Sequence, residues 1–128
     1  MDLNLLRRMA KERVRLDLVS KNVGIFRKEL GGEIEFNMAG IKECINQPFN
    51  LYRDKILLLI DGLEGALRSA TYVGFTSHQN HPRPHVVGYH FFETQIGGET
   101  AYFNVQLTVQ NRYFLYSITE SIRWETLE

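Results

Sequence analysis

The chain has 128 residues and a mass of 14.9 kDa, the size of one domain, and size scaling leaves about 7,000 Å² exposed after folding, roughly a third of the unfolded surface. Fifteen basic residues balance fifteen acidic ones, with 44% hydrophobic and 23% charged residues, which excludes a bulk field drawing the protein to nucleic acid or acidic lipid. The single Cys44 excludes an internal disulfide framework and a cysteine-cluster zinc site, and the longest apolar run, residues 56–60, is too short to cross a bilayer. With no apolar signal core at the N-terminus, a reducing, cytoplasmic setting without a membrane partner is expected.

Charge is uneven along the chain. Residues 1–28 carry eight Lys/Arg against three acids, a net +5, so a basic arm over residues 1–30 is expected ahead of an α+β domain over 31–122 and a short tail over 123–128. The arm reads as a helix over residues 2–22, with Leu3, Leu6, Met9, Ala10, Val14 and Val19 near helical spacing and Leu16 and Leu18 off the stripe. Gly31 and Gly32 close it, and residues 33–37 alternate like a short strand. A second helix is predicted over 39–46, stopping before Pro48. Asn50 is the expected cap of a third, long helix to residue 70 that places Tyr52, Ile56, Leu59, Ile60, Leu63 and Leu67 on one face. Gly62 and Gly65 weaken its second half by about 1 kcal/mol each.

After Thr71 the period changes to two. Strands are predicted over 72–76, 86–96, 100–109 and 113–122, with Gly97-Gly98 and residues 110–112 as turns. The proline-bearing stretch 77–85 must be a loop. In the 100–109 strand, Ala101, Phe103, Val105, Leu107 and Val109 form an apolar face, and Tyr102, Asn104, Gln106 and Thr108 a polar one. One buried and one solvated face follow, the buried one covered by the long helix. The expected class is α+β: N-terminal helices, then a roughly four-stranded antiparallel sheet with helices on one face.

The segments Glu33-Ile-Glu-Phe-Asn-Met-Ala-Gly-Ile-Lys42, Ile56-Leu-Leu-Leu-Ile60, the two long strands about Gly97-Gly98 and the aromatic Tyr113-Phe-Leu-Tyr116 give the chain its family likeness. Residues 30–122 resemble the domains associated with large polyvalent proteins of phages and conjugative elements. Those domains in turn look like relatives of the barnase–EndoU–colicin–RelE nuclease fold. The resemblance implies a metal-independent ribonuclease acting on RNA, or a catalytically silent binding or adaptor module that kept the barnase/RelE-like fold. The chain departs from the nucleases in one respect, since its sheet half holds only Arg83, Arg112 and Arg123.

Two constellations bear chemistry. His78, His81 and His85 have spacing that can share a zinc ion, with Glu93 the nearest carboxylate for a fourth ligand. Pro82 and Pro84 restrict their convergence, so neither metal nor cofactor is expected. Metal-free RNA cleavage needs a base for the 2′-hydroxyl, an acid for the leaving oxygen and donors for the phosphorane. Strand parity sets His85 with Tyr89, Phe91 and Glu93 and puts His90 opposite. His85, Tyr89 and Glu93 are therefore the candidate catalytic group, and Tyr102, Asn104, Gln106, Arg112 and Thr119 the candidate substrate-binding residues, with Arg83 a further cation nearby. An ordinary polar sheet face accounts for the same residues. Cys44, between Ile41 and Ile45, reads as a buried thiol. In the basic arm, Arg7, Arg8, Lys11 and Arg15 can grip phosphates or the acids of a protein partner.

Overall fold

The protein, analysed as a computed structural model, is described for residues 2–77 and 83–122. Its accessible surface is 7281 Å², close to the value that chain length implies. Helix α1 spans Leu3–Val14; the Asp2 side chain caps it by accepting from the Asn4 amide at 3.2 Å. Leu6, Ala10 and Val14 are buried at four-residue intervals. A π-helical turn, Arg15–Val19, continues the helix, with the Ser20 amide donating to the Arg15 carbonyl at 2.8 Å. The widened turn keeps Leu18 inside while Leu16 stays exposed.

The remaining elements are β1 (Ile25–Arg27), β2 (Gly32–Glu35), α2 (Met38–Asn46), α3 (Tyr52–Ile60), α4 (Leu63–Ser69), β3 (Thr71–Ser77), β4 (Val86–Ile96), β5 (Glu99–Thr108) and β6 (Tyr113–Thr119). They form one mixed sheet in the order β1-β2-β6-β5-β4-β3. The α+β class stands, but the sheet has six strands rather than about four. The β1–β2 hairpin is the addition: β2 falls on the short alternating strand expected over 33–37 and joins the sheet, while β1, three residues long, is too short to show a period. Nor is the sheet wholly antiparallel, because β2 pairs parallel to β6 through Ile34–Tyr113 and Glu35–Phe114.

The long helix expected over 50–70 is two helices. Gly62 takes φ +115°, a left-handed conformation that glycine adopts without steric cost, and the chain turns there between α3 and α4. Asn50 is not the cap; Leu51 occupies that position with no side-chain hydrogen bond. α3 and α4 lie against β4, α4 also touches β1, and α1 packs on α3. The core therefore runs from Leu6, Ala10 and Val14 through Ile56, Leu59 and Leu67 to Phe92, Phe103 and Val105 on the sheet. Cys44 is buried as expected, and burial pushes its thiol up to about 12.

On β5 the apolar face is shorter than the sequence pattern implies. Ala101, Phe103 and Val105 are fully buried, Leu107 is half-buried, and Val109 is exposed. The strand ends at Thr108, whose carbonyl accepts from the Asn111 amide, so Val109 belongs to the turn. The polar face is not solvated either. Asn104, Gln106 and Thr108 are 7%, 7% and 9% exposed. Register explains the first two: Asn104 stands between Phe91 and Ser117, and Gln106 between Tyr89 and Phe114. Phe91 shields Asn104 from one side, and Tyr89 and Phe114 shield Gln106 from both. Pairing shifts set an extra residue, Val73, Val87 or Tyr116, in β3, β4 and β6, and such bulges add twist to a sheet. No helix among the described residues is long and apolar enough to cross a membrane.

Candidate functional site

The bulge in β6 builds the site. Between the pairs Asn104–Ser117 and Val105–Leu115, Tyr116 is the residue without a partner on β5. Its ring lies 5.6 Å from that of Tyr89 on β4. The Arg83 guanidinium lies 5.2 Å over the Tyr116 ring and donates from Nη1 to the Tyr116 hydroxyl at 2.7 Å. Gln106 and Arg83 stand near the Tyr89 hydroxyl and act to lower its pKa. Burial is the main influence on that phenol and pushes its pKa up, so Tyr89 stays a neutral hydroxyl rather than a base.

These groups border a cleft of about 250 Å³. Arg83 and His85 form one wall, Gln106 and Thr108 the floor, and Phe114 and Tyr116 another wall. The first turn of α2, through Ala39 and Gly40, closes the remaining side. Asn37 caps that turn, its Oδ1 accepting from the Gly40 amide at 2.8 Å. Gly40 is required here: a Cβ would stand 2.0 Å from the Leu115 carbonyl oxygen. Only the absent side chain lets α2 sit directly on β6. The cleft thus joins a guanidinium, an imidazole, two aromatic rings, a buried amide and the electropositive end of a nine-residue helix. Chemically it suits an anion attached to a flat ring.

The expected site residues divide into two groups. His85 and Gln106 line the cleft, and Tyr89 adjoins it. Glu93 pairs with Tyr102 four residues further along β4, about 13 Å from Tyr89, and does not join them. Tyr102 in turn faces Thr119. Asn104 is locked there: its Nδ2 donates to Ser117 Oγ at 2.8 Å and Thr119 Oγ1 at 3.0 Å, and its Oδ1 is buried without a partner. Arg112 lies 4.9 Å over Phe114 and makes a bidentate pair with Glu35 at 3.1 and 2.7 Å. His90 is on the helix-covered face, as parity implies. Its Nδ1 meets the Tyr72 hydroxyl at 2.8 Å, its ring is 4.6 Å from Phe75, and burial lowers its pKa, which favours the neutral ring.

His78 and His81 lie outside the described residues. Among those described, no group of three histidine, cysteine or acidic side chains is placed to hold a metal. The chief residues missing from the sequence-based set are Tyr116 and the α2 terminus. A bulge reverses the face of the residue it inserts, and strand alternation alone does not locate it.

The family model for large polyvalent protein-associated domain 3 matches residues 1–116, and the chain belongs to that family. The match takes in the basic helix α1, the cleft and all of the sheet but the last three residues of β6. Neither a curated protein nor a solved structure matches the chain.

Proposed function

We propose that the domain binds single-stranded RNA through the Arg83 cleft, as a binding module on a scaffold resembling the barnase–EndoU–colicin–RelE nucleases, within a polyvalent protein of a phage or conjugative element. One observation carries this: Arg83 is stacked on and hydrogen-bonded to Tyr116, beside Tyr89 and at the N-terminal turn of α2. A cation for phosphate set against aromatic faces for bases is the combination that unpaired RNA requires. Binding fits better than cleavage. General acid–base cleavage needs two proton-transfer groups, and among the described residues the cleft has one histidine, a high-pKa Tyr89, and no carboxylate.

Cleavage remains the second reading, favoured by His85 lining the same cleft as Arg83 and Tyr116. The test is anisotropy of labelled single-stranded RNA with wild type, Arg83→Ala and Tyr116→Ala, together with a cleavage assay in EDTA. Each variant should weaken binding about ten- to a hundredfold, the range for a charged hydrogen bond or a stacked base. The RNA should stay intact. Wild type that binds no RNA sinks the proposal, and cleavage abolished by His85→Ala replaces it with the nuclease.

A further inference from the structure

Ala39, Lys42 and Asn46 follow one another on α2 at intervals of three and four residues, so they share one side of the helix, and all three are exposed. Ala39 lines the Arg83 cleft. Lys42 and Asn46 line a second, wider groove of about 600 Å³ whose opposite wall is α1, through Arg7, Arg8 and Lys11. The seven steps from Ala39 to Asn46 cover about 10 Å of helix rise. One helix side therefore joins the two depressions.

The groove is cationic by construction. Arg7 Nη2 donates to Asn46 Oδ1 at 3.2 Å and its guanidinium lies 6.0 Å over the Tyr52 ring, which ties α1 to α2 and α3. Arg8, Lys11 and Lys42 form no ion pair among the described residues. Elsewhere on the same basic segment, Arg13 pairs with Asp17 and Arg15 with Glu12. Folding thus sorts the net positive charge of residues 1–28: part is neutralised locally, and part is gathered with Lys42 at the groove. One carboxylate lines it, Asp2, and that one is engaged in capping α1.

We propose that α2 is the spine of one continuous track, on which a single RNA strand leaving the Arg83 cleft crosses Lys42 and lays its further phosphates against Arg8 and Lys11. This rests on the RNA reading of the cleft and extends it to a footprint of several nucleotides. An acidic protein fits the groove less well. Stable protein interfaces have an apolar centre, and the groove's apolar lining residue, Ile45, is itself buried at 5% exposure.

The test compares labelled oligouridylates of about four and about twelve nucleotides, lengths at the short end and the upper part of known single-strand site sizes. Binding is measured against salt for wild type, for Arg83→Ala and for the triple variant Arg8→Gln, Lys11→Gln, Lys42→Gln. The three replaced side chains are exposed, so the fold should be unaffected. For the long strand the triple variant should lose about tenfold or more in affinity at low salt and lower the salt slope by about 2, at roughly 0.7 per phosphate contact. For the short strand it should change affinity less than about twofold by the same electrostatics, whereas Arg83→Ala should weaken both lengths. An unchanged long-strand affinity in the triple variant, with Arg83→Ala still defective, overturns the track and leaves the cleft standing. Loss in the triple variant without loss in Arg83→Ala overturns the cleft reading and with it a track that begins there. No binding of either strand by wild type overturns both.

Discussion

Asn104→Asp is the substitution on which the solvated-face expectation and the folded structure differ most. If the polar side of β5 were open to water, a carboxylate there would cost little. In the structure Asn104 is 7% exposed, its Nδ2 serves Ser117 and Thr119, and its Oδ1 has no partner. Thr119 Oγ1 already donates to the Ser121 carbonyl at 2.9 Å, so its proton is not free for a carboxylate. The change removes two hydrogen bonds worth about 1 kcal/mol each and buries a charge with at most the Ser117 hydroxyl to donate to it, for a cost of about 3–5 kcal/mol at pH 7. That is a large part of the 5–15 kcal/mol typical of a domain. Asn104→Ala should cost less, about 0–2 kcal/mol, because it also deletes the unsatisfied oxygen. The sign of the pH dependence follows. Burial raises the folded-state pKa of the introduced carboxyl above its unfolded value, so the unfolded state releases the proton first as pH rises, and the defect grows from about pH 4 upward. Urea unfolding at pH 7 and at about pH 4 reads both effects, with the m-value as the check that the unfolded state is unchanged. Equal midpoints for Asn104→Asp and wild type at pH 7 would refute the burial argument.

Other positions make separable predictions. Val105→Asp should leave the chain unfolded by circular dichroism, since Val105 is fully buried on the apolar side of β5. Gly40→Ala should cost about 2 kcal/mol or more in a thermal melt, because its Cβ meets backbone, the Leu115 carbonyl, rather than a side chain that can move. Lys55 and Cys44 should oppose each other above neutrality. Burial lowers the Lys55 pKa to about 8 and raises the Cys44 pKa to about 12. Between roughly pH 8 and 10 the unfolded lysine holds more protons than the folded one, which raises stability with pH, while the unfolded cysteine holds fewer, which lowers it. Wild type should be nearly flat over that window; Lys55→Met should lose about 1–2 kcal/mol across it and Cys44→Ala should gain as much, read from urea midpoints.

The sequence pattern carries the elements whose length exceeds the period that identifies them. α1 and the hairpin β4–β5 are plain from Leu6, Ala10 and Val14 and from the alternation ending at Gly97-Gly98. Ile34 falls in the short alternation at 33–37, but Ile25, fully buried and paired with it across β1 and β2, belongs to a strand too short to alternate visibly. The break at Gly62 was visible as a weak point, but its positive φ arises from packing α4 against β1 and β4, which is tertiary information. The site follows the same division. Gln106 falls on the polar side of β5 by counting alone, but His85 and Tyr89 stand on either side of the Val87 bulge, which breaks the count between them. Tyr116 reaches them only through a bulge, and Ala39 and Gly40 only because α2 replaces β2 along β6. Glu93 has the right parity but lies too far along the strand. Parity reports a face and not a distance.

The central claim is that RNA enters the Arg83 cleft. Its most direct measurement is a titration of isotope-labelled protein with a short single-stranded RNA, followed by amide chemical shifts. The account predicts saturable shifts confined to Ala39, Gly40, His85, Gln106 and Tyr116 and their neighbours, saturating about ten- to a hundredfold more weakly in Arg83→Ala. Shifts gathered instead about α4 and β3, or none at all at protein and RNA concentrations near 1 mM, the weak limit of useful affinity, would contradict it.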